Sequence, residues 1–185
     1  MKTRCAWVGT DELYQKYHDE EWGVPVKDDD KQFEFLILET FQAGLSWITI
    51  LRKRENFRKA FDNFDYQKIA KYNEKKIQSL LQDEGIIRNK LKVRATVTNA
   101  QAFMKIQEEF GSFTDYIWNF VNHNPVVGKW KSIKDVPATT ELSDKLSKDL
   151  KKRGFKFVGS TVVYAHLQAT GLVNDHTVDC FCYKK

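Results

Sequence analysis

Cysteine and long apolar runs are both scarce in this sequence, and each shortage excludes a class of protein. Only three of the 185 residues are cysteine, and a small, odd number of thiols argues against a disulfide framework. No apolar run approaches the ~20 residues that a transmembrane helix needs, and the stretch from Met1 to Gly9 lacks the apolar core of a signal peptide. We therefore expect a soluble, cytoplasmic protein with no membrane partner.

Aromatic residues and positive charge are the two components in excess. Phe, Tyr and Trp make up 14% of the chain, more than a core of this size obviously requires, so we expect some of them to line a site. The formal net charge of +5 fits a polyanionic partner such as nucleic acid. The length fits one domain spanning residues 1–185, which is long enough to bury a core.

Helical signals run along the chain, and neither an alternating strand pattern nor an internal repeat interrupts them. Asp11 is a plausible N-cap for a helix from about Glu12 to Glu20, and Gly111 is the expected end of a helix from about Asn89 to Phe110. Further helices are expected over residues 52–61, 65–72, 73–82, 113–121, 140–153 and 160–170, with a loop over 122–137 and an irregular tail from 172. The expected fold class is all-α.

One carboxylate lies inside the most apolar stretch of the chain, which begins at Phe35. The run is apolar on nearly every side, as is typical of a helix buried all round. On that helix Glu39 would have Phe35 and Leu36 one turn before it, so it is poorly placed to reach bulk water. Ordinary core packing and a functional acid are both consistent with this pattern.

A tight turn is expected directly after this helix. Gly44 is the predicted left-handed end of the helix, and Ser46 is the predicted N-cap of the next one. Leu45 is then left at the tip of the turn, and Trp47 begins a helix that ends in the cations of Arg52–Arg54.

Two cysteines and two histidines near the chain ends form a candidate metal site. Cys5 and His18 lie near one end, and His176 and Cys180 lie near the other with the spacing of one helical turn. Two thiolates and two imidazoles suit tetrahedral Zn²⁺, and a closed set of four protein ligands would be structural. Cys182 is a rival for Cys180. For each residue alone, a buried thiol or a hydrogen-bonded histidine is the alternative.

The segment Leu80–Arg94 predicts a helix, a hairpin at Gly85 and a second helix. Cations follow the hairpin at Arg88, Lys90, Lys92 and Arg94. A glycine hairpin whose backbone N–H groups lie beside a helix N-terminus is a phosphate site, and the cations add attraction. The alternative is a plain helical corner with a solvated basic face. Lys151–Lys156 is a second basic segment.

Several strings resemble the DNA-3-methyladenine glycosylase I family. They are Cys5–Val8, Tyr17–Pro25, Gln42–Ile48, Arg153–Gly159 and Gly171–His176 with the following Cys180. The match is collinear and spans nearly the whole chain. The resemblance implies a helix-hairpin-helix DNA glycosylase fold with a zinc site that joins the N- and C-terminal segments. It also implies an enzyme that flips 3-methyladenine out of duplex DNA and hydrolyses its N-glycosidic bond, releasing the free base and leaving an abasic site.

The same resemblance implies roles for individual residues. One structural zinc ion would be bound by Cys5, His18, His176 and Cys180. The pocket for the damaged base would be formed by Glu39, Tyr17 and Trp47, with Tyr14, Trp7 and Trp22. Contacts to DNA are expected from Gly44 and Leu45 at the turn and from Gly85, Arg88 and Lys90 at the hairpin. The expected partner is double-stranded DNA containing alkylated bases, and the expected state is a monomer.

The sequence departs from the wider superfamily in two places. The hairpin is Glu84-Gly-Ile-Ile rather than a two-glycine turn, and no aspartate stands where the superfamily usually has its catalytic acid, a feature shared with this family. Whether Glu39 is a catalytic base or only binds and selects the base is therefore open. A non-catalytic DNA-binding module and a zinc hydrolase are the other functional classes, and the second would need an open position on the metal.

Overall fold

The computed structural model of the protein describes residues 1–183, and α-helix dominates them. The helices are α1 (Glu12–Glu20), α2 (Asp29–Gln42), α3 (Trp47–Ala60), α4 (Tyr66–Ile69), α5 (Glu74–Leu80), α6 (Lys90–Phe110), α7 (Phe113–Asn119), α8 (Glu141–Lys152) and α9 (Ser160–Ala169), and the short strands are β1 (Val126–Val127) and β2 (Val173–Asn174). No helix within residues 1–183 combines the length and apolarity needed to cross a bilayer. The expected all-α class is confirmed.

Side-chain caps explain where the helices begin. The Asp11 carboxylate accepts a hydrogen bond from the Tyr14 N–H at 3.0 Å, and Asn89 accepts one from the Lys92 N–H at 3.1 Å. These bonds satisfy N–H groups that have no partner within the helix. Gly111 ends α6 at φ +87, where a residue with a Cβ would be strained.

The sequence predicted that the helix beginning at Trp47 ends at the basic run Arg52–Arg54. In the structure the helix continues through that run. The two expected helices around residues 47–54 and 52–61 are one helix, α3. Leu51 and Phe57 are both buried on its inner side, so the apolar period continues through the cations. Because Arg and Lys are good helix formers, a charged run by itself is no stop signal.

A two-residue parallel pair corrects the expectation that the chain contains no strand. Val126 pairs with Val173, and the Val126 N–H donates to the Leu172 carbonyl at 2.8 Å. Strands of two residues are too short to produce an alternating pattern, which explains why the sequence did not indicate them. The pair ties the loop after α7 to the segment that leads to His176.

Helix α2 lies at the centre of the molecule. It packs against α3, α6, α7 and α9, and Phe33, Ile37 and Phe41 are fully buried along it. This is the environment expected of a helix that is apolar on nearly every side. Beyond its exposed first turn, the polar residues Gln32, Glu34, Glu39 and Thr40 of α2 are therefore held in the interior.

Candidate functional site

The carboxyl group of Glu39 is buried without a charged partner. Its residue is 4% exposed, and Oε2 has no hydrogen-bond partner among residues 1–183. Burial raises the pKa of Glu39 to about 8, because a charged carboxylate loses its hydration there. The expectation that Glu39 is shielded from water is confirmed, and the group is protonated in much of the empty protein at neutral pH.

A cavity of about 380 Å³ lies beside Glu39. Its lining comes from the turn between α2 and α3 on one side and from the first turns of α9 on the other: Glu39, Gln42, Ala43, Gly44, Leu45, Thr161, Val162 and Ala165. The sequence had indicated Glu39, Gly44 and Leu45 but none of the α9 residues. About 120 residues separate α9 from Glu39, and no local pattern marks such a contact.

Two buried aromatic rings lie near Glu39. The ring centroids of Tyr17 and Trp47 are 5.8 Å apart, and both residues are buried. Burial raises the pKa of Tyr17 well above its usual value, and the Glu39 charge raises it further, so the phenol stays protonated. The indole N–H of Trp47 lies beside the Tyr17 hydroxyl and lowers the pKa of that phenol, although it makes no hydrogen bond of ordinary geometry within the described residues. Oε2 of Glu39 is therefore the clearer unpaired polar atom beside the cavity.

Trp7, Tyr14 and Trp22 form a second aromatic group beside the first. The ring centroids of Trp7 lie 4.8 Å from those of Tyr14 and 5.0 Å from those of Trp22. Burial and then the Glu39 charge raise the pKa of Tyr14, which places this ring within electrostatic range of the carboxyl group. On its other side Trp22 lies edge-on to His176, with centroids 4.7 Å apart. These three rings thus stand between Glu39 and the cluster of cysteines and histidines.

The turn between α2 and α3 has the predicted shape. Gly44 has φ +79, and Leu45 is 39% exposed at the tip, with its N–H donating to the Gln42 carbonyl at 2.7 Å. Ser46 is the N-cap residue, but its hydroxyl lies 2.8 Å from the Thr49 hydroxyl and caps no backbone N–H. The prediction that Ser46 is the N-cap residue is confirmed, although its side chain makes no capping bond.

The hairpin presents fewer free groups than the sequence indicated. The Gly85 N–H donates to the Asp83 carboxylate at 2.8 Å, so in this state it is already occupied. Arg88 and Lys90 are exposed, as expected. Lys92 is buried instead: its Nζ lies 3.3 Å from the Phe41 carbonyl and 3.5 Å from the Ala43 carbonyl.

Arg94 after the hairpin and Arg54 on α3 are held in ion pairs. Arg94 bonds with the Glu74 carboxylate at 2.9 Å. On α3, Arg54 pairs with Glu21 at 2.7 Å and with Glu34 at 3.2 Å. Of the hairpin cations, Arg88 and Lys90 remain the candidates for phosphate contact.

The four predicted metal ligands come together. The ligand atoms of Cys5, His18, His176 and Cys180 all lie within 4.8 Å of one another, and all four residues are buried. Cys180 Sγ is 3.5 Å from both His18 Nε2 and His176 Nδ1, and Cys5 Sγ is 3.5 Å from His176 Nδ1. Tetrahedral Zn²⁺, with Zn–S about 2.3 Å and Zn–N about 2.0–2.1 Å, places sulfur and nitrogen roughly 3.5 Å apart. The donor set and its spacing therefore fit such an ion.

Neighbouring groups orient both imidazoles toward the cluster. His18 Nδ1 lies 2.8 Å from the Asp19 carboxylate, and His176 Nε2 lies 3.0 Å from the Trp22 carbonyl oxygen. Each acceptor places the ring proton on that nitrogen, which leaves the other nitrogen to bind a metal. Cys182 lies in a second grouping with His18 and Asp19, and its Sγ is 3.9 Å from the Asp19 carbonyl.

The segment from His176 to Cys180 is not helical, although its spacing is that of one helical turn. The chain leaves β2 in extended form, and the Cys180 N–H donates to the Thr177 carbonyl at 2.9 Å in a turn. This turn reverses the chain direction, so the side chains of His176 and Cys180 meet with Nδ1 and Sγ 3.5 Å apart although no helix joins them.

Comparison with known proteins agrees with this geometry. The family model for methyladenine glycosylases matches residues 7–183. The chain is 52% identical to DNA-3-methyladenine glycosylase 1 of Escherichia coli K12, over 97% of this chain and 96% of that protein, and 50% identical to DNA-3-methyladenine glycosylase of Haemophilus influenzae, over 98% of each. A crystal structure of 3-methyladenine DNA glycosylase I superposes with a TM-score of 0.95 at 50% identity, covering 98% of this chain and 100% of that one. A variant of 3-methyladenine DNA glycosylase I in complex with 3-methyladenine also gives 0.95, at 37% identity over 98% of each chain. The chain belongs to the methyladenine glycosylase family.

Proposed function

We propose that this protein is a DNA-3-methyladenine glycosylase. It flips alkylated 3-methyladenine out of duplex DNA and hydrolyses the N-glycosidic bond, releasing the free base and leaving an abasic site. The observation that carries the proposal is the buried, unpaired carboxyl group of Glu39 beside a cavity and close to aromatic rings. The relatives that match over nearly their whole length are named for the same activity.

Selection of the base follows from the state of Glu39. In DNA 3-methyladenine carries positive charge, whereas adenine is neutral. With a pKa of about 8, Glu39 is mostly protonated in the empty site, and a cationic base favours the charged form. Neutral adenine provides no such gain, so the carboxyl group discriminates between the two bases.

The aromatic rings supply the remaining affinity. A base inside a duplex is out of reach, so it must leave the stack before it enters a pocket. Stacking on an aromatic ring is worth roughly 1–3 kcal/mol per base, and the Tyr17 and Trp47 rings lie side by side near Glu39. We assign these two rings to direct contact with the base. Trp7, Tyr14 and Trp22 support them.

Bond cleavage requires little help from a general acid. Departure of 3-methyladenine neutralises its charge, so methylation has already made it a good leaving group. Glu39 therefore acts mainly by holding and selecting the base. This fits the absence of an aspartate at the place where the wider superfamily has its catalytic acid.

DNA contact is assigned to the two exposed turns. Leu45 enters the stack where the base has left, and an apolar wedge offsets part of the few kcal/mol that unstacking costs. Gly44 allows close approach of the backbone. At the hairpin, Gly85 with Arg88 and Lys90 binds a phosphate, and binding there requires the Gly85 N–H to exchange Asp83 for the phosphate oxygen.

Zinc in this proposal is structural. Cys5, His18, His176 and Cys180 would hold one ion and so clasp the two ends of a single domain. Because four protein ligands leave no open position, the ion would supply folding energy rather than chemistry. A zinc hydrolase is disfavoured for the same reason, and a non-catalytic DNA-binding module would not need the unpaired Glu39. We further propose that the protein acts as a monomer in the cytoplasm.

Release of free base from methylated duplex DNA under single-turnover conditions tests the function. Wild-type protein should release 3-methyladenine. The rate of base release by Glu39→Gln should fall by less than the 10²–10⁴-fold expected for loss of a general base. The same variant should also bind free 3-methyladenine more weakly. Glu34→Gln is the matched control, because Glu34 is a buried carboxylate of α2 that is paired with Arg54 and Arg58.

Two outcomes would contradict these assignments. No release of 3-methyladenine by the wild-type protein would refute the function itself. A loss beyond about a thousandfold in Glu39→Gln, with free-base binding intact, would make Glu39 a true catalytic base.

A further inference from the structure

Lys92, on the first turn of α6, is a buried cation. The residue is only 6% exposed. Burial lowers the pKa of Lys92, and among residues 1–183 no carboxylate acts against that shift. A buried charge is costly unless it is paired or hydrogen-bonded. The ammonium group therefore depends on the polar atoms that it reaches within the fold.

The polar atoms that Lys92 reaches belong to the end of α2. Its Nζ donates to the Phe41 carbonyl at 3.3 Å and to the Ala43 carbonyl at 3.5 Å. Carbonyl groups at the end of a helix have no partner within the helix, and the negative end of the helix dipole favours a cation there. Lys92 therefore caps α2 with a side chain that comes from another helix.

The capped end of α2 continues directly into the turn that carries Leu45. The Leu45 N–H donates to the Gln42 carbonyl at 2.7 Å, and Lys92 binds the carbonyls on either side of Gln42. Three successive carbonyls are thus fixed just before the exposed tip. The position of Leu45 beside the cavity is therefore set by α6 as well as by the local turn.

The backbone from which this side chain extends is itself fixed. The Asn89 side chain accepts from the Lys92 N–H at 3.1 Å, and the buried Thr96 hydroxyl donates to the Lys92 carbonyl at 2.9 Å. A simple packing role between α2 and α6 is the alternative. An apolar side chain of similar length, such as methionine, would fill the same space without the cost of a buried charge. The charge therefore favours a role that depends on its hydrogen bonds.

We propose that Lys92 is a positioning residue for Leu45, whose ammonium group holds the turn after α2 in the shape that enters the DNA stack. This inference rests on the proposed function, because Leu45 acts only when a base leaves the duplex. Without the two hydrogen bonds the turn samples other shapes, and the cost of ordering it is added to base flipping. The two pocket residues Glu39 and Trp47 make no hydrogen bond with Lys92 within the described residues, so binding of the free base does not depend on it.

Amide hydrogen exchange in the absence of DNA tests the positioning itself. In Lys92→Met the Gly44 and Leu45 amides should exchange about tenfold faster or more, as expected when hydrogen bonds from a charged group are lost. The melting temperature should stay near the wild-type value, since the cost of the buried charge disappears together with its bonds. Lys105→Met is the matched control, because Lys105 is exposed on the same helix, about 20 Å along its axis, and should change neither quantity.

A second variant keeps the test valid if Lys92→Met fails to fold. Lys92→Gln retains an N–H donor, so exchange at Leu45 should fall between the rates of the wild type and of Lys92→Met. Wild-type exchange at Gly44 and Leu45 in either folded variant would overturn the proposal.

A double-mutant cycle with Leu45→Ala tests the consequence for base release. Under single-turnover conditions Lys92→Met should slow release from duplex DNA about ten- to a hundredfold, while free 3-methyladenine binds as it does to the wild type. Because Lys92 acts through Leu45, adding Lys92→Met to Leu45→Ala should slow release little further, whereas independent roles would give multiplied losses.

Two outcomes of the cycle would overturn the proposal: multiplied losses in the double variant, or weaker binding of the free base to Lys92→Met. The proposed function fails in a different way, namely if the wild-type protein releases no 3-methyladenine. The exchange rates of the Leu45 turn are measured without DNA, so they test the positioning role even then.

Discussion

Replacing Glu39 with Gln should make the protein more stable at alkaline pH. The carboxyl group has an ordinary pKa of 4.5 in the unfolded chain and about 8 in the fold, because burial opposes its charge. Between those values the folded protein holds a proton that the unfolded chain has released. Stability therefore falls as pH rises, since the folded state binds more protons than the unfolded state.

The size of the effect follows from the two pKa values. Each unit between 4.5 and about 8 is worth about 1.4 kcal/mol, so ionising Glu39 costs the fold on the order of 5 kcal/mol above pH 8. Gln has nearly the same shape and no charge, so Glu39→Gln avoids this loss. Well below pH 4.5 the two proteins should differ only by the constant cost of an unpaired amide, and at pH 5 the loss from ionisation is still under about 1 kcal/mol.

Urea unfolding of both proteins from pH 5 to pH 9 measures the effect. The difference in free energy of unfolding between Glu39→Gln and wild type should rise by several kcal/mol across that range. Other titrating groups do not obscure this difference: His166, whose pKa burial lowers to about 3, is present in both proteins. Tyr14 and Tyr17, whose pKa values burial raises, stay protonated in the fold across this range. A difference that stays constant within about 0.5 kcal/mol would refute the argument that Glu39 is buried without a partner.

Two further predictions concern the metal cluster and the wedge. Cys180→Ser should have both a lower zinc content and a lower melting temperature, because the free energy of metal binding would contribute to the stability of the fold. Full zinc content in Cys180→Ser with loss of zinc in Cys182→Ser would show that the ligand assignment is wrong. Leu45→Ala should slow base release from duplex DNA more than it weakens binding of free 3-methyladenine. Leu13→Ala is the control and should change neither, since Leu13 is 43% exposed and Leu45 is 39% exposed. Equal losses in both assays of Leu45→Ala would exclude the wedge role.

The sequence was informative wherever the cause was local. Asp11 and Asn89 cap helices that begin within a residue of the predicted positions, because capping depends on the residue and its three successors. The burial of Glu39 was predicted from Phe35 and Leu36, which lie one helical turn before it, and the structure confirms it. The two cysteines and two histidines near the chain ends were predicted as a candidate metal site from their residue types, the resemblance to a known family implied the same four, and the structure brings them together.

Long-range packing decided the features that the sequence missed. Lys92 was grouped with the solvated cations of the hairpin, yet it lies on the inner face of α6 and binds the carbonyl end of α2. Nothing in the sequence of α9 marked Thr161 and Val162 as site residues. They line the cavity because α9 packs on α2. Phe157 has a left-handed backbone, with φ +57, beside Lys156, whose N–H and carbonyl are both bound by Asn99, 57 residues earlier in the chain.

Unpaired polar atoms mark the candidate pocket more clearly than its shape does. Among residues 1–183, four buried side chains have an atom with no hydrogen-bond partner, and in Arg54 and His166 another nitrogen of the same group is bonded. Glu39 lacks such compensation at Oε2, whereas the Trp47 Nε1–H on the other side of the Gly44–Leu45 turn has the Tyr17 hydroxyl beside it without a hydrogen bond of ordinary geometry. Each unmet bond costs about 1–3 kcal/mol, which is large against a typical stability of about 5–15 kcal/mol. A ligand that is cationic, planar and able to accept the indole proton recovers this cost and adds a charge interaction. Glu39→Gln should therefore weaken base binding and raise stability at alkaline pH, two opposite effects that arise from one desolvated carboxyl group.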